Sequence, residues 1–308
     1  MLRVHSRLSS GNEGPSEDVS NRRMEAHKSL ASREEEIKRG AVAFGAQVCG
    51  IADAAAFAEE TPEGFRPHDL LPNARSLIVV GGAQPRAGDW ISPAVDTMMT
   101  TSTADRINSV ARKIAQEVES RYGYYALFVP PGTRKGNQPF LSLMLAAELA
   151  GLGSRSLAGT LLHPTYGFLY YAAVITTLPL AADSRLTEPV CPAPSCVDMW
   201  EREGTTPCLS ICPAKSGGCL DGKIDNGRIA ESFYDRDRCH TRVYTNWIPG
   251  FQKVLEEATN EEDREKRKML LYGNFFTSTL WSLTFSAQSQ GQCFECMRVC
   301  PVGKVTKK

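Results

Sequence analysis

Nine of the ten cysteines in this sequence lie between residues 191 and 300, at spacings that suit metal binding. The stretch GQCFECMRVCPVGKV (291–305) contains C-x2-C-x3-C followed by proline, and CLSICP (208–213) repeats the ending C-x3-C-P. A C-x2-C turn brings two sulfurs to one cluster, and in two-cluster ferredoxins the cysteine before proline ligates the other cluster. The repeated ending therefore predicts two four-iron clusters that exchange their last ligands.

The ligand count supports two clusters. Each four-iron cluster needs four thiolates, so nine cysteines supply two clusters and leave one spare. One cluster is predicted to use Cys212, Cys239, Cys293 and Cys296. The other is predicted to use Cys208, Cys300 and two of the three remaining cysteines, Cys191, Cys196 and Cys219. Because CPAPSC precedes Cys208 in the order that a ferredoxin motif requires, Cys191 and Cys196 are favoured and Cys219 is spare. Zinc is the alternative, because C-x2-C also suits zinc, but the doubled C-x3-C-P ending favours iron–sulfur clusters.

Charge and hydropathy argue against several classes of protein. Lys plus Arg equals Asp plus Glu, 35 each, so no basic excess predicts nucleic-acid binding. No apolar run reaches the roughly 18 residues that a membrane helix needs, and the polar N-terminus lacks the apolar core of a secretory signal. We therefore expect a cytoplasmic protein, in which metal binding explains clustered cysteines better than disulfides do.

Periodicity predicts the elements that position these thiols. Residues 1–30 are expected to be a disordered tail. Helices are predicted where apolar residues recur on one face, and strands where apolar runs are rich in β-branched or aromatic residues. The predicted helices are 33–45, 104–123 and 139–153, and the predicted strands are 76–82, 124–130 and 167–180. This alternation predicts an α/β (α+β) sandwich domain over residues 31–184, with helices packed on a sheet.

The remainder of the chain, 185–308, is rich in cysteine, proline and glycine. Its cysteine pattern predicts a C-terminal ferredoxin-like two-cluster module. A charged helical insertion is expected near 251–272. Cys49 stands apart in the apolar stretch AQVCGIA and is expected to be a buried, unreactive thiol.

The order of these segments resembles the family of epoxyqueuosine reductases and reductive dehalogenases. The resemblance lies in LLPNARSLIVVGG (70–82), AAELAGLGSRSLAGTLLHPTYG (146–167), AAVITTLPLAAD (172–183), DRDRCHTR (235–242) and CFECMRVCPVGK (293–304). It implies an α/β domain that binds a cobalamin, followed by a module with two [4Fe-4S] clusters.

The sequence departs from the family pattern in three places. The first cysteine run is stretched to C-x4-C-x11-C-x3-C-P, which leaves open the choice among Cys191, Cys196 and Cys219. Residues 240–292 form a longer insertion than the family has. The stretch that corresponds to the family's D-x-G-P motif, with its proton-donating aspartate, is GNQP (136–139). Because no acid stands there, queuosine synthesis is not expected.

The resemblance also implies residues that would serve a cobalamin and a small electrophilic substrate. At Gly151-Leu152-Gly153 the backbone would approach the flat macrocycle, because glycine lacks Cβ; the alternative is that Gly153 only caps a helix. His163 is a candidate acid or ligand. Tyr170 and Tyr171 are candidate proton donors, with core aromatics as the alternative.

Two functions follow from this reasoning. One is a corrinoid-dependent reductase of the reductive-dehalogenase type, in which the cofactor supplies the difficult chemistry. The other is a non-catalytic two-cluster electron carrier, whose α/β domain docks a redox partner of the ferredoxin or flavodoxin type. The missing aspartate and the stretched first cysteine run favour the carrier.

Overall fold

An antiparallel sheet of four strands forms the centre of the first part of the chain. The computed structural model describes residues 33–84, 93–129, 134–135, 138–212, 218–235, 238–239, 247–274, 276–277, 280 and 295–303; the expected tail at 1–30 lies outside them. The order of the sheet is β1-β2-β9-β3. Its strands are β1 (Val48–Asp53), β2 (Ser76–Gly82), β3 (Ala126–Val129) and β9 (Tyr170–Thr176).

Short strands fill the chain between β3 and β9. Strands β4 (Arg134–Lys135) and β5 (Gln138–Pro139) pair with each other. Strands β6 (Ser154–Arg155), β7 (Leu161–His163) and β8 (Gly167–Phe168) form a three-stranded antiparallel sheet. The turn between β6 and β7 contacts the cysteine-rich part of the chain.

Helices cover both faces of the central sheet. One face is covered by α1 (33–43) and α4 (Pro93–Glu117). The other face is covered by α2 (Ala54–Glu59) and α5 (Leu143–Leu149). The short helix α3 (Pro67–Leu70) packs against α2. Alternate residues of β9 face the two layers, Ala172 and Val174 towards α4 and Ala173 and Ile175 towards α5. Every residue of β2 is buried, as expected of a strand covered on both faces. The predicted sandwich of helices on a sheet is confirmed.

Two predicted helices differ from the structure at their ends. The helix predicted at 104–123 begins earlier, at Pro93, and its last turn, Val118–Tyr122, is a π-helix. Gly123 ends it with φ 72°, which confirms the predicted glycine cap. The helix predicted at 139–153 is shorter, Leu143–Leu149, because the Ser142 side chain accepts a hydrogen bond from the Leu145 N–H and starts the helix there.

The cysteine-rich part combines short helices with one hairpin. Helices α6 (Pro194–Glu203) and α7 (Pro207–Ile211) precede the hairpin of β10 (Leu220–Asp225) and β11 (Arg228–Tyr234). Helices α8 (Trp247–Asn260) and α9 (Arg264–Tyr272) follow, and α10 (Glu295–Arg298) packs against α7. The single helix expected near 251–272 is in fact two, because Asp263 caps a new helix. None of the described helices has the length and apolar character of a membrane span.

Candidate metal centre

The first thiol set consists of cysteines from four separate segments. It comprises Cys191, Cys196, Cys208 and Cys300. The Cys191 thiol lies close enough to the other three that a negative charge on any of them raises its pKa. Burial is the larger cause, and together they raise the pKa of Cys191 to about 12. Helix α7, which contains Cys208, packs against α10, and Cys300 follows α10 closely along the chain.

The second thiol set lines one small pocket. It comprises Cys212, Cys219, Cys239 and Cys296. Cys219 and Cys239 are 5% and 3% exposed, and the Sγ atoms of Cys212 and Cys219 are 3.2 Å apart. Burial and the neighbouring thiols raise the pKa of Cys219. Metal binding here would therefore have to displace protons.

The turn between β6 and β7 contacts both thiol sets. The Leu157 N–H points to Cys191 Sγ at 3.5 Å, while Ala158, Gly159 and Thr160 line the pocket of the second set. The turn is closed by a hydrogen bond from the Ser156 N–H to the Thr160 carbonyl at 2.8 Å. The α/β domain thus contributes a wall to the cysteine-rich region.

The four thiols of the second set are a donor set for a metal ion or a cluster. Within the described ranges, no three Cys, His, Asp or Glu side chains are arranged to hold one ion. Two thiolates on one tetrahedral zinc, with Zn–S of about 2.3 Å, have sulfurs about 3.8 Å apart. In a four-iron cluster each thiolate binds its own iron, so its ligands surround a larger centre. Cys212, Cys219, Cys239 and Cys296 surround a pocket of about 50 Å³, and the Cys219 N–H donates to the Cys212 sulfur; thiols with such a donor suit an iron–sulfur group.

The structure brings together most of the cysteines that the sequence grouped. Cys191, Cys196, Cys208 and Cys300 lie together, and Cys212 and Cys239 lie with Cys296. Cys293 lies outside the described residues. Cys219, which spacing left spare, lies among the second set. Sequence reasoning missed it because β10 and β11 separate it from Cys239 along the chain and their pairing brings the two together.

Gly151 and Gly153 pack against the chain itself. Gly151, with φ +69°, ends α5: its N–H donates to the Glu148 carbonyl, and the Leu152 N–H donates to the Ala147 carbonyl at 2.9 Å. These two bonds form a Schellman cap, so the capping glycine is Gly151 and not Gly153. A Cβ on Gly151 would meet the Ser184 carbonyl, and one on Gly153 would lie 2.5 Å from the Leu162 carbonyl oxygen. The close approach that these glycines permit is therefore an approach of the protein's own backbone.

His163 and the two tyrosines lie on β7 and β9. The His163 Nδ1 accepts hydrogen bonds from the N–H groups of Thr165 and Tyr166, at 3.0 and 3.3 Å. Burial lowers the pKa of His163, which favours the neutral ring. Tyr170 packs its ring edge-on against Phe168 at 5.0 Å. The Tyr171 hydroxyl is buried and has no hydrogen-bond partner within the described part of the chain, and burial raises its pKa.

Cys49 lies in β1, away from both thiol sets. Burial raises the pKa of its thiol to about 12. The thiolate is the reactive form of cysteine, so a raised pKa favours the unreactive thiol; the sequence predicted a buried thiol, and Cys49 is half-buried.

Comparison with known proteins identifies similar folds. Epoxyqueuosine reductase from Bacillus subtilis, in a structure with its catalytic loop swung out of the active site, matches with a TM-score of 0.51 and 17% identity, over 89% of this chain and 66% of that one. An epoxyqueuosine reductase with an epoxyqueuosine-modified tRNA stem loop matches with a TM-score of 0.50 and 18% identity, over the same shares of the two chains. A catabolic reductive dehalogenase in complex with 3-bromo-4-hydroxybenzoic acid has a TM-score of 0.48 and 18% identity, over 80% of this chain and 35% of that one.

The resemblance stated from the sequence is thus found again in the fold. This chain spans just under two thirds of the length of the epoxyqueuosine reductases that it matches. No family model matches the chain, and no curated protein matches it.

Proposed function

We propose that this protein is an iron–sulfur oxidoreductase, which receives electrons through two four-iron clusters and delivers them to a small electrophilic substrate at a corrinoid. The observation that carries the proposal is the crossed grouping of the thiols. Cys300, the last cysteine of the second motif, lies with Cys208, and Cys212, the last of the first motif, lies with Cys296. A two-cluster ferredoxin exchanges its last ligands in this way.

The chain's own residues would hold the clusters and tune them. Cys219 and Cys239 are buried, and the N–H groups of Leu157 and Cys219 donate hydrogen bonds to sulfur atoms. Both features influence the reduction potential of an iron–sulfur cluster. Because the β6–β7 turn contacts both thiol sets, the α/β domain would lie against both clusters.

The metal content tests this proposal. Protein prepared without oxygen should hold about eight irons and about eight acid-labile sulfides per chain, for two four-iron clusters. It should be brown and lose colour when dithionite reduces it. Zinc in place of iron, or four irons, would contradict the two-cluster arrangement.

The corrinoid is supported by the similarity of the fold to epoxyqueuosine reductases, and such a cofactor would supply the reductive chemistry. His163 and the tyrosines of β9 are the chain's candidates for contacting it or the substrate. Retention of cobalamin on gel filtration after anaerobic reconstitution tests this part. A wild-type protein that holds about eight irons and retains no cobalamin would leave the electron carrier as the function.

The electron carrier is a second candidate because of the packing at Gly151 and Gly153. The space beside these glycines is filled by the backbone at Ser184 and Leu162, so these positions offer no face to a macrocycle. In this role the protein would exchange electrons with a redox partner of the ferredoxin or flavodoxin type. Reduction of the clusters by a reduced ferredoxin or flavodoxin, followed by their visible absorbance, measures this exchange.

One of the similar structures contains a tRNA stem loop, so nucleic acid is a substrate class to test for this chain. The balanced charge of the chain and the GNQP stretch argue for a small-molecule substrate. A gel-shift assay with a tRNA stem loop at low salt, where phosphate contacts bind most strongly, should show no complex.

A further inference from the structure

We propose that Cys219 is a ligand of the second cluster, where it completes a set of four thiolates with Cys212, Cys239 and Cys296. This inference rests on the proposed function, because it assigns a ligand to one of the two clusters. The cysteine spacing makes Cys219 either spare or an alternative ligand of the first cluster, and it assigns the fourth place in the second cluster to Cys293. The position of Cys219 in the fold is what gives it a role.

Cys219 and Cys212 are in direct contact. Their Sγ atoms are 3.2 Å apart, and the Cys219 N–H donates to Cys212 Sγ at 3.0 Å. Gly218 makes this approach possible, because a Cβ there would lie 2.5 Å from Cys212 Sγ. The sulfur separation exceeds the roughly 2.05 Å of a disulfide, so both are thiols.

Cys219 is also tied to Cys239 through the backbone. The Asp235 N–H donates to the Cys219 carbonyl at 2.7 Å, and the Cys239 N–H donates to the Asp235 carbonyl at 3.1 Å. This chain of hydrogen bonds fixes the ends of the β10–β11 hairpin beside each other. The two thiols therefore enter the pocket from neighbouring backbone positions.

The four thiols face a shared and largely apolar space. Cys296 lines the pocket from α10, and Leu220 and Tyr234 pack around the buried thiols. In a four-iron cluster each ligand binds a separate iron, so binding must move the Cys212 and Cys219 sulfurs apart by rotation of their side chains. Both residues line the pocket.

Iron analysis of single variants tests the assignment. Cys219→Ser and Cys219→Ala should hold half the iron of the wild type, about four irons instead of about eight. They should keep the EPR signal of the reduced cluster at Cys208 and Cys300, which also shows that the fold survives. Cys293→Ser should keep all the iron and both EPR signals. Cys49→Ser is the control for replacing a half-buried thiol outside both sets, and it should keep all the iron.

Three other results would contradict the assignment of Cys219 as a ligand of the second cluster. Full iron in both Cys219 variants would overturn the assignment. Loss of iron in Cys293→Ser would also overturn the assignment, because a cluster with four thiolate ligands does not need a fifth. Loss of both clusters in the Cys219 variants would overturn it as well. A wild-type protein without iron would overturn the proposed function and this inference with it, whereas a fully loaded wild type with unchanged Cys219 variants overturns the inference alone.

Discussion

Two glycines allow close contacts because they have no side chain. At Gly218 the missing side chain leaves room for the Cys212 sulfur, and at Gly151 it leaves room for the Ser184 carbonyl. Gly151 also has a positive φ. A substitution at each therefore tests a different effect, close packing at Gly218 and close packing with backbone strain at Gly151.

Gly218→Ala should disturb the second thiol set. The new Cβ would lie 2.5 Å from Cys212 Sγ and 2.9 Å from Cys212 Cβ, so the sulfur must move. We expect loss of iron from the cluster at Cys212 and retention of the cluster at Cys208, measured by iron analysis and EPR. Gly40→Ala in α1, where the nearest contact is 3.3 Å away on a flexible side chain, is the control and should keep all the iron. Equal iron in both variants would show that the pocket tolerates the methyl group.

Gly151→Ala should lower the free energy of unfolding more than Gly227→Ala does. Both glycines have φ near +70°, and a Cβ at Gly227 would meet nothing within 4 Å. The shared left-handed strain costs about 1–2 kcal/mol, and only Gly151 adds the contact with the Ser184 carbonyl. Denaturant unfolding of the two variants measures the difference. Equal losses would mean that residue 184 moves aside at no cost.

At the scale of elements, the segment after β9 is fixed to the sheet by one carboxylate. The Asp183 side chain accepts from the Ile51 N–H at 2.8 Å and from Lys38 Nζ at 2.6 Å. It thus joins α1 and β1 at the point where the chain leaves the α/β domain for the cysteines. The Asp183 N–H also donates to the Ile51 carbonyl at 2.8 Å, which continues the pairing of the two segments.

Asp183→Ala should destabilise the protein more than Lys38→Met does. Removing the carboxylate takes the acceptor from the Ile51 N–H, and an unsatisfied donor in a partly buried site costs about 1–3 kcal/mol. Removing the partly exposed lysine loses an ion pair worth about 0–1 kcal/mol. Thermal unfolding of both variants, with Asp183→Asn as a shape control, measures the order. A larger loss for Lys38→Met would show that the ion pair is the main link.

At the scale of the whole molecule, the crossing of the two cysteine motifs joins distant parts of the chain. Cys300 lies with Cys191, Cys196 and Cys208, while Cys296, on the same short segment, lies with Cys212. The packing of α10 against α7 holds both pairs at once. Loss of one cysteine should therefore affect the cluster of its spatial neighbours.

Cys300→Ala and Cys296→Ala should damage different clusters. In Cys300→Ala we expect the EPR signal that Cys208→Ala also removes to disappear, with about half the iron remaining. In Cys296→Ala we expect loss of the signal that Cys239→Ala removes. If Cys300→Ala instead matches Cys239→Ala, the ligands are not exchanged between the motifs.

The sequence by itself determined the elements that depend on local pattern. The continuous apolar run of β2 and the apolar stripe of α4 predicted that these two elements are buried. Such patterns can be recognised from residues that are close together in the sequence. Gly123 predicted a helix end because only glycine readily adopts φ > 0 there. The C-x3-C-P endings predicted which cysteines would cross, because a short motif fixes which sulfurs can share a centre.

Only the tertiary structure decided the features that arise from contacts between distant residues. Cys219 joins Cys212 and Cys239 because the β10–β11 hairpin folds back, and no spacing rule contains that pairing. The resemblance implies a macrocycle at Gly151 and Gly153, with a helix cap as the alternative; in the structure the backbone at Ser184 and Leu162 lies against these glycines. A glycine in the sequence indicates that another group can lie close to the backbone at that position. Only the tertiary structure shows which group lies there.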